Sequence, residues 1–182
     1  MIKVNYQNGQ GDGSIVWKLG EGGDFALKNG TDPTDWFYAQ HAPSYTTANS
    51  SGTFGLTLMD NGNDREFAAG VTCGTSGAPA CSYSTAPVFQ IDEAAKTATL
   101  QFNPTAAAYN SFGGGADVLA NGDLEYDLCG VSTSPPKSEI DEITQGANSQ
   151  QVWQMQVSVS NVYRSQRVPS LYPSVSWSGT NF

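Results

Sequence analysis

Apolar and polar residues alternate along this chain in short runs, and the runs come in pairs. Ile2-Lys3-Val4-Asn5 is followed by Ile15-Val16-Trp17-Lys18-Leu19, with Gly9 to Gly13 between them. Val88-Phe89-Gln90-Ile91-Asp92 is followed, across Glu93 to Lys96, by Thr97-Ala98-Thr99-Leu100-Gln101-Phe102. Ile140-Asp141-Glu142-Ile143-Thr144 is followed, across Gln145 to Ser149, by Gln151-Val152-Trp153-Gln154-Met155. A period of two places alternate side chains on one face of a strand, so each pair predicts a β-hairpin. Between the hairpins lies a second kind of unit: Ala42 to Tyr45 with Phe54 to Asp60, then Gly114 to Leu119 with Asp123 to Leu128. Asn61-Gly62 and Asn121-Gly122 predict tight turns, because both residue types tolerate positive φ. No stretch carries the 3.6 period of a long amphipathic helix, and Asp92 to Lys96 has room for one turn at most.

The recurrence predicts an all-β fold: an incomplete β-propeller of about two to three four-stranded blades. The blade-like units fall at about 1–70, 85–130 and 138–177 within one domain, with Gly70 to Ser84 inserted in the first spacing. A β-sandwich also suits the length, but it predicts about seven similar strands and no blade-like repeat. Propellers usually have about 4–8 blades. The expectation is therefore a truncated chain, opening in mid-strand at Met1, whose missing blades precede it or come from a homo-oligomer.

Composition narrows the function. The chain has 182 residues, 17 acidic against 8 basic, for a formal charge of −9. No Lys/Arg cluster is present, which excludes a phosphate-neutralising surface for nucleic acid, and the net charge opposes anionic membranes. No apolar run approaches the ~18–20 residues that span a bilayer. Three cysteines are present. The spacing of Cys73 and Cys81 allows a disulfide, which fits an oxidising compartment; the alternative is two free thiols in a loop. Cys129, at the end of an alternating run, reads as a buried free thiol. No His/Cys cluster offers a metal site, and no cofactor motif is found. Asp60, Asn61, Asn63 and Asp64 do not fit a calcium loop, because Gly62 and Arg65 stand where a ligand and a glycine are needed.

His41 is the single histidine. Its place in the repeat is the start of an inner strand, matched by Phe112-Gly113 in the next unit. A neutral imidazole there is a competent nucleophile. The other reading is a hydrogen-bonded core or surface histidine, since no base or orienting partner is visible beside it in sequence.

Several motifs occur in order: Ser14-Ile15-Val16-Trp17-Lys18-Leu19-Gly20 with Asp24-Phe25, then Gln40-His41, then Leu58-Met59-Asp60-Asn61-Gly62 with Arg65. They are followed by Lys96 to Leu100, Leu119-Ala120-Asn121-Gly122-Asp123, and Tyr163 to Arg167 with Pro169 to Pro173. In this order they resemble the bacterial arylsulfate sulfotransferase family, in the C-terminal part of its propeller. The resemblance implies an exported enzyme, periplasmic or secreted, without a nucleotide sulfate donor. It implies His41 as the nucleophile that forms a sulfohistidine with an aryl sulfate and passes the sulfuryl group to a phenol. The family's further histidines, from earlier blades, have no counterpart here. A sulfuryl group in flight needs cationic partners. Lys18, Arg65, Arg164 and Arg167 are the candidates, with Gln40 beside the histidine and Trp36, Phe37 and Tyr38 as stacking surfaces. The rival function is a propeller-derived binding or assembly module without catalysis.

Overall fold

The computed structural model describes residues 1–49, 51–68, 70–73, 81–133, 135–158 and 160–168. They form three sheets and, among the described residues, no α-helix. β1 (Ile2–Val4) and β2 (Ile15–Lys18) make an antiparallel pair. β4 (His41–Tyr45), β5 (Thr53–Met59), β6 (Val88–Asp92) and β7 (Thr97–Phe102) follow one another as an antiparallel meander. β3 (Ala26–Lys28) adds to its far edge, parallel to β7. β8 (Gly115–Val118), β9 (Leu124–Thr133), β10 (Pro136–Ile143) and β11 (Gln151–Ser158) repeat the meander.

The sheets stack face to face in chain order, and β5 shows why. Phe54, Leu56 and Leu58 on one face join Phe89, Ile91 and Leu100 against Trp17, Leu19, Phe25, Trp36 and Phe37. Met59 on the other face joins Val88 against Leu124, Tyr126, Leu128 and Ile143. A strand packed on both faces reads as a nearly unbroken apolar run, as Phe54 to Met59 does. Each large side chain so buried contributes about 1.5–3 kcal/mol. The stacking also sets the first strands of the two meanders, β4 and β8, side by side.

The three expected hairpins are present as β1–β2, β6–β7 and β10–β11. The sheets nevertheless divide the chain differently from the sequence repeat. The β6–β7 and β10–β11 hairpins close sheets whose other strands precede them, so the larger sheets span residues 26–102 and 115–158 rather than units beginning on a hairpin. Asn121-Gly122 makes the expected turn, with Gly122 at φ 89 and its N–H on the Leu119 carbonyl at 2.9 Å. Asn61-Gly62 does not join two strands: Asp60 bridges to Thr85, and the Asn61 side chain is buried. The counterpart of His41 is Gly115, not Phe112-Gly113. His41 faces Met59 as Gly115 faces Asp127 in the adjacent strand, because Gly113 and Gly114, at φ 64 and 88, turn the chain before β8 begins. Cys129 is buried and free, in the middle of β9 rather than at its end.

Residues 160–168 run without regular structure across the face of the last sheet opposite Leu124 and Leu128. The Gly114 N–H donates to the Tyr163 carbonyl at 2.8 Å, and the Ser165 N–H donates to the Asp127 carboxylate. Arg167 lies between Glu125 and Glu142, 2.6 Å from each, with its guanidinium over the Trp153 ring. The motif at Pro169 to Pro173 lies outside the described residues.

Candidate functional site

His41 opens β4, at the edge of its sheet. The backbone around it is irregular. The register with β5 gains a residue between His41 and Ser44, and Ala39 and Ala42 hold φ of 55 and 47. A bulge re-aims the side chains beside it. The left-handed conformation costs an alanine about 1–2 kcal/mol and persists where surrounding contacts over-determine it.

The imidazole is held from one side. Its Nδ1 is 2.5 Å from Asn61 Oδ1 and 3.2 Å from the Ala39 carbonyl oxygen. The orientation of Asn61 follows from its other bonds, since Nδ2 donates to the carbonyls of Asn110 at 2.7 Å and Gly113 at 3.1 Å. The amide nitrogen is thus committed to two acceptors, and the oxygen faces the ring. Two acceptors at Nδ1 require that Nδ1 carry the hydrogen. In the neutral ring Nε2 then keeps its lone pair, which is the form a nucleophile needs.

The residues after His41 line a cleft of about 100 Å³ between the two inner strands. Ala42 and Ser44 form one wall, Gly115 and Asp117 the second, and Arg164 and Gln166 the third. Tyr163 meets the His41 ring edge to face, with centroids 6.0 Å apart. Gly113 makes room for it: a Cβ there would lie 3.1 Å from the Tyr163 ring and 3.0 Å from Cys129 Cβ. Asp127 lies beneath the same segment. Burial pushes its carboxyl up to about 6, against the hydrogen bonds from Ser165.

Of the residues singled out from sequence, Arg164 lines this cleft and His41 immediately precedes its wall residue Ala42, with Gln40 half-buried just before the histidine. The others lie elsewhere. Trp36 is 1% exposed and stacks on Phe89, so it is core rather than a stacking surface for substrate. Lys18 projects from the exposed face of β2 and does not line the cleft. Arg65 is also 1% exposed. Its Nη2 pairs with Asp60, its Nη1 donates to the carbonyls of Cys81 and Tyr83, and its guanidinium lies 4.0 Å from the Tyr83 ring centroid. Tyr38 closes the other side of this cage and donates to the Pro33 carbonyl. Burial, and then the Glu21 charge, push its phenol up to about 12. Arg65 and Tyr38 are therefore engaged with Asp60 and with each other, not with the cleft. A desolvated cation with a bonded carboxylate partner is structural. Cys73 and Cys81 are joined in a disulfide, with Cα atoms 5.3 Å apart, and the Cys81 carbonyl is one of the groups that holds Arg65.

Asn61 and Tyr163 are the site residues that sequence reading passed over. Asn61 carried the signal of a turn, and Tyr163 stands 122 positions beyond His41 in the numbering.

Fold and site together define an all-β chain of stacked antiparallel meanders that presents one histidine, held at Nδ1, beside a cleft that Arg164 lines. A family model described as Arylsulfotransferase (ASST) matches residues 1–164, and the chain belongs to that family. No curated protein matches the chain.

Proposed function

We propose that this chain is part of a β-propeller that moves a sulfuryl group from an aryl sulfate ester to a phenolic acceptor through a sulfohistidine at His41. The observation that carries the reading is the locked imidazole, with Nδ1 hydrogen-bonded to Asn61 and Ala39. Nε2 attacks sulfur, the bond from sulfur to the aryl oxygen breaks, and the phenolate leaves with the electron pair. The ring becomes an N-sulfo imidazolium whose Nδ1–H still has two acceptors. A second phenol then attacks sulfur, the N–S bond breaks, the phenolic proton passes to solvent or to the departed phenolate, and His41 returns to its first state. Arg164 meets the negative charge on the peripheral oxygens. Neither step needs a cofactor.

The blade reading rests on the face-to-face stacking of consecutive meanders and on the neighbouring inner strands β4 and β8. Apolar side chains exposed at the first end of the stack support completion by further blades: Ile2 and Val4 on β1, Ile15 and Val16 on β2. The disulfide supports an oxidising, periplasmic or secreted setting.

The test is release of 4-nitrophenol from 4-nitrophenyl sulfate in the presence of a phenol acceptor. The unmodified protein is expected to turn over and to trap a sulfuryl group on His41, and His41→Ala to do neither. Equal turnover by both would reject His41 as the nucleophile. The exposed apolar side chains of β1 and β2 favour one second reading, a non-catalytic binding or assembly module. It predicts stable oligomers on sizing chromatography and no nitrophenol release.

A further inference from the structure

We infer that Asn61 is a positioning residue. It fixes His41 as the Nδ1–H tautomer and aims Nε2 away from the β4–β5 junction. The inference rests on the sulfuryl-transfer reading for its consequence, but not for its geometry.

Asn61 has the properties the role requires. It is fully buried, so bulk water does not compete for its amide. Its Nδ2 is committed to the Asn110 and Gly113 carbonyls, which belong to the connection leading into the next sheet. Its own carbonyl accepts from Ser84 Oγ at 3.0 Å, and that hydroxyl oxygen also accepts the Asn110 N–H at 2.9 Å. The Asn110 side chain completes the frame: Nδ2 donates to the Gly113 carbonyl at 3.1 Å, and Oδ1 accepts the Gly130 N–H at 3.3 Å. Flipping the Asn61 amide would turn its oxygen onto two carbonyl oxygens, so the acceptor at His41 is permanent. The residue thereby joins the two sheets at the point where they must agree for the cleft to exist.

The left-handed alanines agree with this. Ala39 supplies the second acceptor at Nδ1, and Ala42 turns the chain after the ring. Both adopt a conformation alanine disfavours, and both serve the same imidazole.

Because the chain has a single histidine, ¹⁵N NMR of uniformly labelled protein reads its tautomer without ambiguity. The unmodified protein is expected to show a protonated Nδ1 and an unprotonated Nε2 above the titration of the ring. Asn61→Ala is expected to move the population toward Nε2–H and to lower kcat by about ten- to a hundredfold with little change in KM. Asn61→Asp keeps an acceptor at Nδ1 but faces two carbonyls without a donor. It should retain the Nδ1–H tautomer while losing thermal stability. A purely structural role predicts the reverse order, with the tautomer following stability. An Nε2–H tautomer in the unmodified protein, or one unchanged in Asn61→Ala, overturns the inference. The expected tautomers together with no sulfuryl transfer by the unmodified protein would leave the positioning role intact and reject the function.

Discussion

Replacing Asp60 by asparagine removes the charge that compensates Arg65, together with the acceptor that the Thr85 hydroxyl uses at 3.1 Å. Asp60 Oδ1 accepts the N–H groups of Tyr38 at 2.7 Å and Gly62 at 3.0 Å, and an asparagine oxygen retains both. What is lost is the carboxylate on Nη2 of a guanidinium that is 1% exposed and enclosed by Tyr38 and Tyr83. The introduced amide turns donors toward a cation. Breaking a buried pair by removing one partner costs about 3–5 kcal/mol. Set against a typical total stability of about 5–15 kcal/mol, that is a large share. At about 2–4 °C per kcal/mol for a chain of this size, the melting temperature should fall by roughly 10 °C. The measurement belongs at pH 8, because burial pushes the Asp60 carboxyl up to about 6 in spite of Arg65 and the N–H donors. Urea unfolding of Asp60→Asn, Arg65→Met and the double variant forms a cycle. The double variant should fall short of the summed single losses by about 2 kcal/mol, since the second change removes the stranded charge. A single-variant loss under about 1 kcal/mol, or simple additivity, would show that water reaches the pair and that it does not hold the segment after β5.

Reduction of the Cys73–Cys81 disulfide, which closes a loop with a separation of 8 residues, should lower stability by about 2–3 kcal/mol on the loop-entropy scale; denaturant titration with and without dithiothreitol checks this, and no change sinks it. Asp127 has a folded-state pKa raised by burial to about 6, against about 3.9 unfolded, so the native state binds its proton more tightly. Its contribution is full below about pH 4 and is lost as pH rises through 6, by at most about 3 kcal/mol. Melting temperature should therefore rise between pH 7 and pH 5, and Asp127→Asn should flatten that slope; an unchanged slope in the variant refutes the assignment. Ala42→Gly relieves a φ of 47 and should raise stability by up to about 1 kcal/mol; a thermal melt that drops instead would show that the Ala42 methyl is needed at the cleft. Gly114→Ala, at φ 88 and with its new Cβ 2.5 Å from the Asp127 carbonyl oxygen, should cost several kcal/mol, and a fully stable variant would contradict the crowding between β8 and β9.

Strands were the legible part of this chain, because half-burial writes itself as alternation. β6 and β7 could be read residue by residue, and β10 in its second half, Ile140 to Ile143. β3 could not: three residues, Ala26–Lys28, pair in parallel with Thr97–Thr99 far along the chain, and nothing local records a parallel partner. The two Asn-Gly pairs show the limit more sharply. At Asn121 the side chain bonds its own turn through Asp123, so local chemistry decides the structure. At Asn61 the partners are His41, Asn110 and Gly113, and tertiary contacts overrule the turn preference. The same reason hid the fate of Arg65 and Trp36. A lone arginine and a tryptophan near a histidine look alike in sequence whether they face substrate or core, and only the stacking of sheets separates the two. His41 was legible as a candidate because it has no rival, whereas its orienting partner was not.

The route of residues 160–168 has a consequence for how such a chain can change over time. Tyr163 reaches the histidine, and Arg164 the cleft, only because the strap leaves β11, doubles back over Glu125 and Asp127, and occupies the face on which another repeat would stack. Growth by duplication at that end would evict both side chains from these places. The array can lengthen freely only on the β1–β2 flank, so gain or loss of repeats should be tolerated there and selected against at the opposite flank.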